Sequence, residues 1–132
     1  MRIAVSIVIL ASLVSACGGS QLPPEQRAER EAKLAQTDAA LSEAKTVTVN
    51  GKTFRVAHVT ERDQALVDLV GPSTPYFAAD IEAASRTATG CAGTFDPGIL
   101  AFLGGDIATT DLAALRTKVS GRFAGWSVSL EC

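Results

Sequence analysis

Thr46-Val47-Thr48-Val49-Asn50-Gly51-Lys52-Thr53-Phe54-Arg55-Val56-Ala57-His58-Val59 is the stretch on which the fold turns. Two alternating, β-branched runs flank Asn50-Gly51, the dipeptide that most readily takes the positive φ angles of a type I′ turn. A two-residue loop also sets the register, with Val49 opposite Lys52 and Val47 opposite Phe54. Successive strand side chains point to opposite faces. Val47, Val49, Phe54 and Val56 therefore share one face, and Thr48, Thr53 and Arg55 the other. The first is the expected core face. A lone hairpin is marginal in water, so the rest of the chain must cover it.

Downstream, Glu61-Arg62-Asp63-Gln64 is a polar break before the apolar run Ala65 to Val70. That run reads as a third strand completing a meander, or as a short helix capped by Thr60 with Asp63 three residues on. The strand is preferred because Gly71-Pro72 closes it. Ser73 to Thr89 is the expected main helix, with Thr74 as N-cap and Pro75 at the first helical position. Phe77, Ile81, Ala84 and Ala88 form its apolar stripe, and Gly90 suits the left-handed residue after its last turn. Between Gly93 and Leu103, the Asp96-Pro97-Gly98 turn leaves a short strand or a helical turn after it equally open. Thr110 is expected to cap a second helix, Asp111 to Val119, with Leu112, Leu115 and Val119 on one face. Trp126, Val128, Leu130 and Cys132 alternate with Ser127, Ser129 and Glu131 in a closing strand. The sum is an α+β fold: a small antiparallel sheet (hairpin, third strand, C-terminal strand) with two helices on one face.

Before the hairpin, Glu25 to Lys45 is alanine-rich and charged, with strong helix formers throughout. Glu25 and Glu29 suit the start of a helix dipole, and Glu29 and Lys33 stand at the favourable four-residue spacing. Its apolar face is thin: Ala28, Ala32, Leu34, Ala35, Ala39 and Leu41. This composition reads as a mostly solvated stalk helix, with docking on the domain or a partner as the alternative.

The chain opens with Arg2 and an apolar or small-residue run from Ile3 to Val14, the length of a signal-peptide core and too short to span a bilayer. The run ends in Val14-Ser15-Ala16-Cys17, which resembles the lipobox of bacterial lipoproteins. The resemblance covers these residues alone and implies a signal peptide over 1–16, removed by a dedicated peptidase, and a diacylglyceryl group on the Cys17 thiol. It further implies acylation of the new amino group and a membrane anchor, since stable anchoring needs more than one chain. Position 18 is Gly instead of the Asp that retains such lipoproteins at the inner membrane. The implied location is the cell envelope, and the outer membrane facing the periplasm in a Gram-negative cell. Residues 17–46 then carry the lipidated cysteine, spacer and stalk, and 47–132 the domain.

Once Cys17 is given to the lipid, Cys91 and Cys132 remain as one pair of the three cysteines. An exported chain meets an oxidising compartment, so a disulfide between them is expected. It closes a loop of about 42 residues and contributes about 4 kcal/mol by the chain-entropy estimate.

Without Arg2, eleven basic and fourteen acidic residues remain. That mild acidity argues against nucleic acid as a partner, because it offers no cationic footprint for counterion release. Aromatic residues are 5% of the chain, too few for a stacking platform. His58 is the lone histidine, on the parity of Phe54 and Val56, and reads as a hydrogen-bonded edge residue. No serine sits in a nucleophile-elbow setting. The carboxylates Asp63, Asp68, Asp80, Glu82 and Asp96 are scattered, and most read as solvated surface charges. Gly104-Gly105-Asp106 reads as a tight loop more readily than as an anion site. Arg116, Lys118 and Arg122 cluster near the end of the second helix, where cations suit its dipole, and read as a solvated face ahead of a patch for anionic lipid headgroups or glycans. No catalytic, cofactor-binding or metal-ligating set emerges and no cofactor is implied. The expected role is a non-enzymatic binding or interaction module, with the membrane and an envelope protein or glycan as partners. The alternatives are an envelope hydrolase or ligand-binding enzyme with a dispersed site including His58, and a structural envelope component.

Overall fold

The hairpin forms with the register its turn dictates. Val47 stands opposite Phe54 and Val49 opposite Lys52, and Asn50 and Gly51 take φ of 51° and 74°. The computed structural model describes residues 22–102 and 105–132. The expected signal peptide and lipobox, Cys17 included, lie outside the described residues, as do Leu103 and Gly104.

In chain order the elements are α1 (Pro24–Ser42), β1 (Lys45–Val49), β2 (Lys52–Val59), β3 (Gln64–Leu69), α2 (Ala78–Thr89), β4 (Ala92–Phe95), α3 (Leu112–Arg116) and β5 (Trp126–Glu131). Short 3₁₀ turns cover Thr60–Arg62, Gly98–Phe102 and Ile107–Thr109. The fold is α+β, with one antiparallel five-stranded sheet in the order β1-β2-β3-β5-β4. Ala65 to Val70 is therefore strand, entered through the 3₁₀ turn and Asp63 in the left-handed conformation.

The expected core face is the main core. Phe54, Val56, Ala65, Val67, Trp126, Val128 and Leu130 meet Ile81 and Ala84 of α2 and Leu112 of α3 there, with Val47 and Val49 partly buried at its rim. Burying each large apolar side chain in such a layer contributes about 1.5–3 kcal/mol. Tyr76 completes it, with its ring edge-on to Phe54 at a centroid distance of 5.7 Å.

Tyr76 also explains why α2 starts later than the Thr74-Pro75 pattern suggests. Its side chain is buried and its carbonyl accepts the Leu112 N–H at 2.9 Å, which ties the segment before Phe77 to α3, and Phe77 itself is extended. The helix begins after Phe77, whose N–H donates to the Asp80 carboxylate at 3.0 Å. At the other end Gly90 takes φ 75°. The expected second helix is likewise shorter than Asp111 to Val119. Asp111 caps it, accepting the Ala113 N–H at 2.9 Å, while the Thr110 hydroxyl turns back to the Asp106 carbonyl. Its end tightens into bonds from Lys118 and Val119 to carbonyls three residues back, which turns Val119 out to 38% exposure instead of into the core.

β4 is a fifth strand that the sequence reading did not contain. It pairs Thr94 with Ser129 and Gly93 with Leu130 on β5. Gly93 is required there by space: a Cβ would sit 2.6 Å from Val128 Cγ1 and 3.3 Å from Leu130 Cδ2. Extending the same register by one step places Cys91 opposite Cys132, and the two are joined in a disulfide with Cα atoms 4.6 Å apart. That is the separation of a non-hydrogen-bonded antiparallel pair. Cys132 itself lies past the end of β5 and is exposed, contrary to the buried position its parity suggests.

The second face of the sheet is not wholly solvated either. Ala57, Val59 and Leu66 are buried beneath Ala40, Leu41 and Ala44 at the end of α1 and the turn after it. Arg62 donates to Thr37 Oγ1 at 2.9 Å and to the Lys33 carbonyl at 3.4 Å, and Arg122 pairs with Asp38. Residues 22–35 are exposed, Leu34 included. The helix is thus docked at its C-terminal end and is not a free stalk along its whole length.

Candidate functional site

The most elaborate polar cluster joins the hairpin turn to the start of α2. Asp80 is 6% exposed and accepts from Asn50 Nδ2 at 2.9 Å, Lys52 Nζ at 3.0 Å and the Phe77 N–H. Burial pushes its carboxyl up, but the donors from Asn50, Lys52 and Phe77 outweigh that and hold it below the usual aspartate range. Asp80 was expected on the solvated surface, and its burial is a correction. Hairpin register places Lys52 on the core face, within reach of the helix that packs there. All three donors are spent on one carboxylate, so the cluster is a fastening and not an open site.

An open cavity lies between the end of β3 and α3. It encloses about 320 Å³ and is lined by Asp68, Leu69, Gly71, Ser73, Tyr76, Ala113, Arg116 and Thr117. Asp68 lines it from the end of β3, although alternation gives that residue the face of Leu66 and not that of Val67 and Leu69; the first turn of α3 supplies Ala113 and the last supplies Arg116. Arg116 Nε stands 4.0 Å from Asp68 Oδ1, and its guanidinium carbon lies 4.1 Å over the Phe123 ring. The floor is Tyr76, whose hydroxyl accepts from Trp126 Nε1 at 2.7 Å. Burial raises the phenol above its ordinary value, with the Trp126 bond working against that rise. The groove thus offers one cation, one carboxylate and two hydroxyls over an aromatic and aliphatic floor, the mixture ordinary for a small polar ligand.

The expected basic cluster of Arg116, Lys118 and Arg122 is not one patch. Arg116 turns into this groove, Lys118 is exposed, and Arg122 reaches across to Asp38 of α1. Tyr76, which forms the floor, and Trp126, which donates to its hydroxyl, were missed as a pair. They are the single tyrosine and the single tryptophan of the chain, and buried Tyr and Trp need hydrogen-bond partners. That was the available signal.

His58 stands opposite Ala65 on β3, beyond Val56, the last residue of β2 that β1 pairs, and is half-buried. It lines a small cavity of about 110 Å³ with Glu43, Lys45, Val56, Ala88 and Thr89. Of the carboxylates named with it, none comes there: Asp68 is in the groove, Asp80 in the cluster, and Asp96 accepts the Gly98 N–H in its own turn. Asp106 likewise spends its carboxylate on the Ala108 N–H. Among the described residues, no group of three His, Cys, Asp or Glu side chains is placed to hold a metal ion, and no helix is long and apolar enough to cross a membrane. Comparison with protein-family models, curated proteins and solved structures gave no match.

Proposed function

We propose that this chain is a membrane-anchored bacterial lipoprotein of the cell envelope, and that its α+β domain is a non-enzymatic binding module. The observation that carries the reading is the bridge between Cys91 and Cys132. It uses two of three cysteines, suits an oxidising compartment, and leaves Cys17 as the one thiol at a lipobox-like position. The groove between β3 and α3 supports the binding half, because its charges and hydroxyls converge on an apolar floor. In a Gram-negative cell the outer membrane, periplasmic side, is the proposed location, and an envelope protein or glycan the proposed partner.

The anchor is tested by growing cells on labelled fatty acid. Label is expected on the wild-type chain and lost in Cys17→Ala, which should leave the membrane fraction. Label or membrane retention unchanged in Cys17→Ala removes the lipoprotein reading. A photo-crosslinker at Thr117 in the native envelope tests the module. A partner captured there and not from Glu31 on α1 supports it; identical capture from both positions sinks it.

A further inference from the structure

The sheet has a second feature that the anchor and the groove do not use: its open edge at β4. In an antiparallel ladder the residues alternate between those that exchange hydrogen bonds with the partner strand and those that face away. The Asp96 N–H donates to the Ser127 carbonyl at 2.9 Å. By the same register, Thr94 and Ala92 turn their backbone groups to Ser129 and Glu131. The β3 side agrees, since the Leu130 N–H donates to the Asp63 carbonyl. Gly93, which is half-buried, and Phe95, whose side chain is in the core, therefore direct their N–H and C=O groups away from β5, to the side where no further strand lies among the described residues.

Beside that edge runs a channel of about 400 Å³ between β4 and α2, lined by Glu82, Ala83, Arg86, Thr87, Ala92 and Gly93. Arg86 is exposed and Glu82 half-buried. Among the described residues neither forms an ion pair, although they stand one turn apart on the helix. Four helical residues rise about 6 Å. Alternate side chains on one face of a strand repeat about every 6.7 Å. A strand laid along β4 brings two such side chains opposite Glu82 and Arg86.

The geometry points to a β-augmentation site: the edge of β4 and the adjoining face of α2 take an extended polypeptide segment bearing a basic and an acidic side chain two residues apart. The backbone of Gly93 and Phe95 supplies the pairing, and Glu82 and Arg86 supply the selection. The inference rests on neither the anchor nor the Arg116 groove.

The test pans a display library of linear peptides against the full chain in detergent and follows amide hydrogen exchange with a selected peptide. In the free protein, Thr94 is expected to be better protected than Gly93 and Phe95; with peptide, Gly93 and Phe95 gain protection. Methylating the peptide nitrogen that faces the Gly93 carbonyl weakens binding about tenfold, the worth of one backbone hydrogen bond. Arg86→Glu, with unchanged Trp126 fluorescence as evidence of folding, weakens the same peptide and is rescued by reversing the peptide's acidic residue. Four results overturn the inference: no peptide enriched, protection at Thr46 and Thr48 of β1, binding abolished by Arg116→Ala but not by Arg86→Glu, or protection of Gly93 by self-association alone.

Discussion

At Asp80 three separate parts of the chain meet one carboxylate: the turn residue Asn50, the strand residue Lys52 and the first peptide of α2. Removing it leaves three donors without their acceptor in a partly buried setting. Asp80→Ala is expected to cost about 2–4 kcal/mol. Lys52→Met should cost about 1 kcal/mol, because its side chain keeps 21% exposure and some solvent screening. The carboxyl is held below its ordinary range in the folded state, so the folded chain binds fewer protons than the unfolded one in acid. Its contribution is complete above the ordinary aspartate pKa of about 3.9 and is lost as pH falls through the lower folded value. Urea midpoints measured down a pH series, with Trp126 fluorescence as the probe, should show wild type and Asp80→Ala converging in acid. A constant gap would mean that the carboxylate's charge contributes nothing.

At the scale of elements, the least expected result is the docking of α1. Its thin apolar face favoured a solvated stalk over docking on the domain, and none of its residues is fully buried. The reason lies elsewhere: Ala57, Val59 and Leu66 sit on the face that Thr48, Thr53 and Arg55 had marked as polar. Only the far half of β2 is apolar there, and the last turns of α1 cover that half. Arg62, in what read as a polar break, is the clasp. Arg62→Ala should loosen α1 by about 1–2 kcal/mol, raising amide exchange in its last two turns about tenfold while β2 and β3 amides stay protected. Equal exchange in wild type and variant would show that the small apolar contacts alone hold the helix. The hairpin, Gly90 and the closing strand were legible because period-two alternation and turn chemistry are local signals, whereas the third strand was preferred over a short helix only on the Gly71-Pro72 that closes it. β4 was not, since Ala92-Gly93-Thr94-Phe95 is four residues long and holds a glycine whose reason is the distant Val128 side chain. The start of α2 was misplaced because the long-range demands of Tyr76 and Asp80 override a good local cap at Thr74. In the groove, Arg116 was legible as a charge and Asp68 as an isolated acid, but only the packing of α3 against β3 brings them together.

For the whole molecule the disulfide decides how an edge strand of four residues stays paired. β4 has one neighbouring strand and a short ladder, and the helix that leads into it ends at Gly90. The bridge from Cys91 to Cys132 continues that ladder by one covalent rung. Its loop is large enough that the chain-entropy estimate gives about 4 kcal/mol, a substantial share of the 5–15 kcal/mol typical of a domain. The expected consequence is unequal. Reduction, or the pair Cys91→Ala and Cys132→Ala, should lower the denaturation midpoint and free β4 first, so that Thr94 loses exchange protection while Phe54 and Val56 in the centre of the sheet keep theirs. An identical midpoint with and without reductant, the thiols shown free by alkylation, would falsify this assignment of stability. A loss spread evenly over all five strands would place the bridge's effect in the unfolded chain alone. Selective release of β4 would also tie the redox state to the edge proposed for peptide pairing, since an unpaired β4 no longer presents Gly93 and Phe95 as a strand.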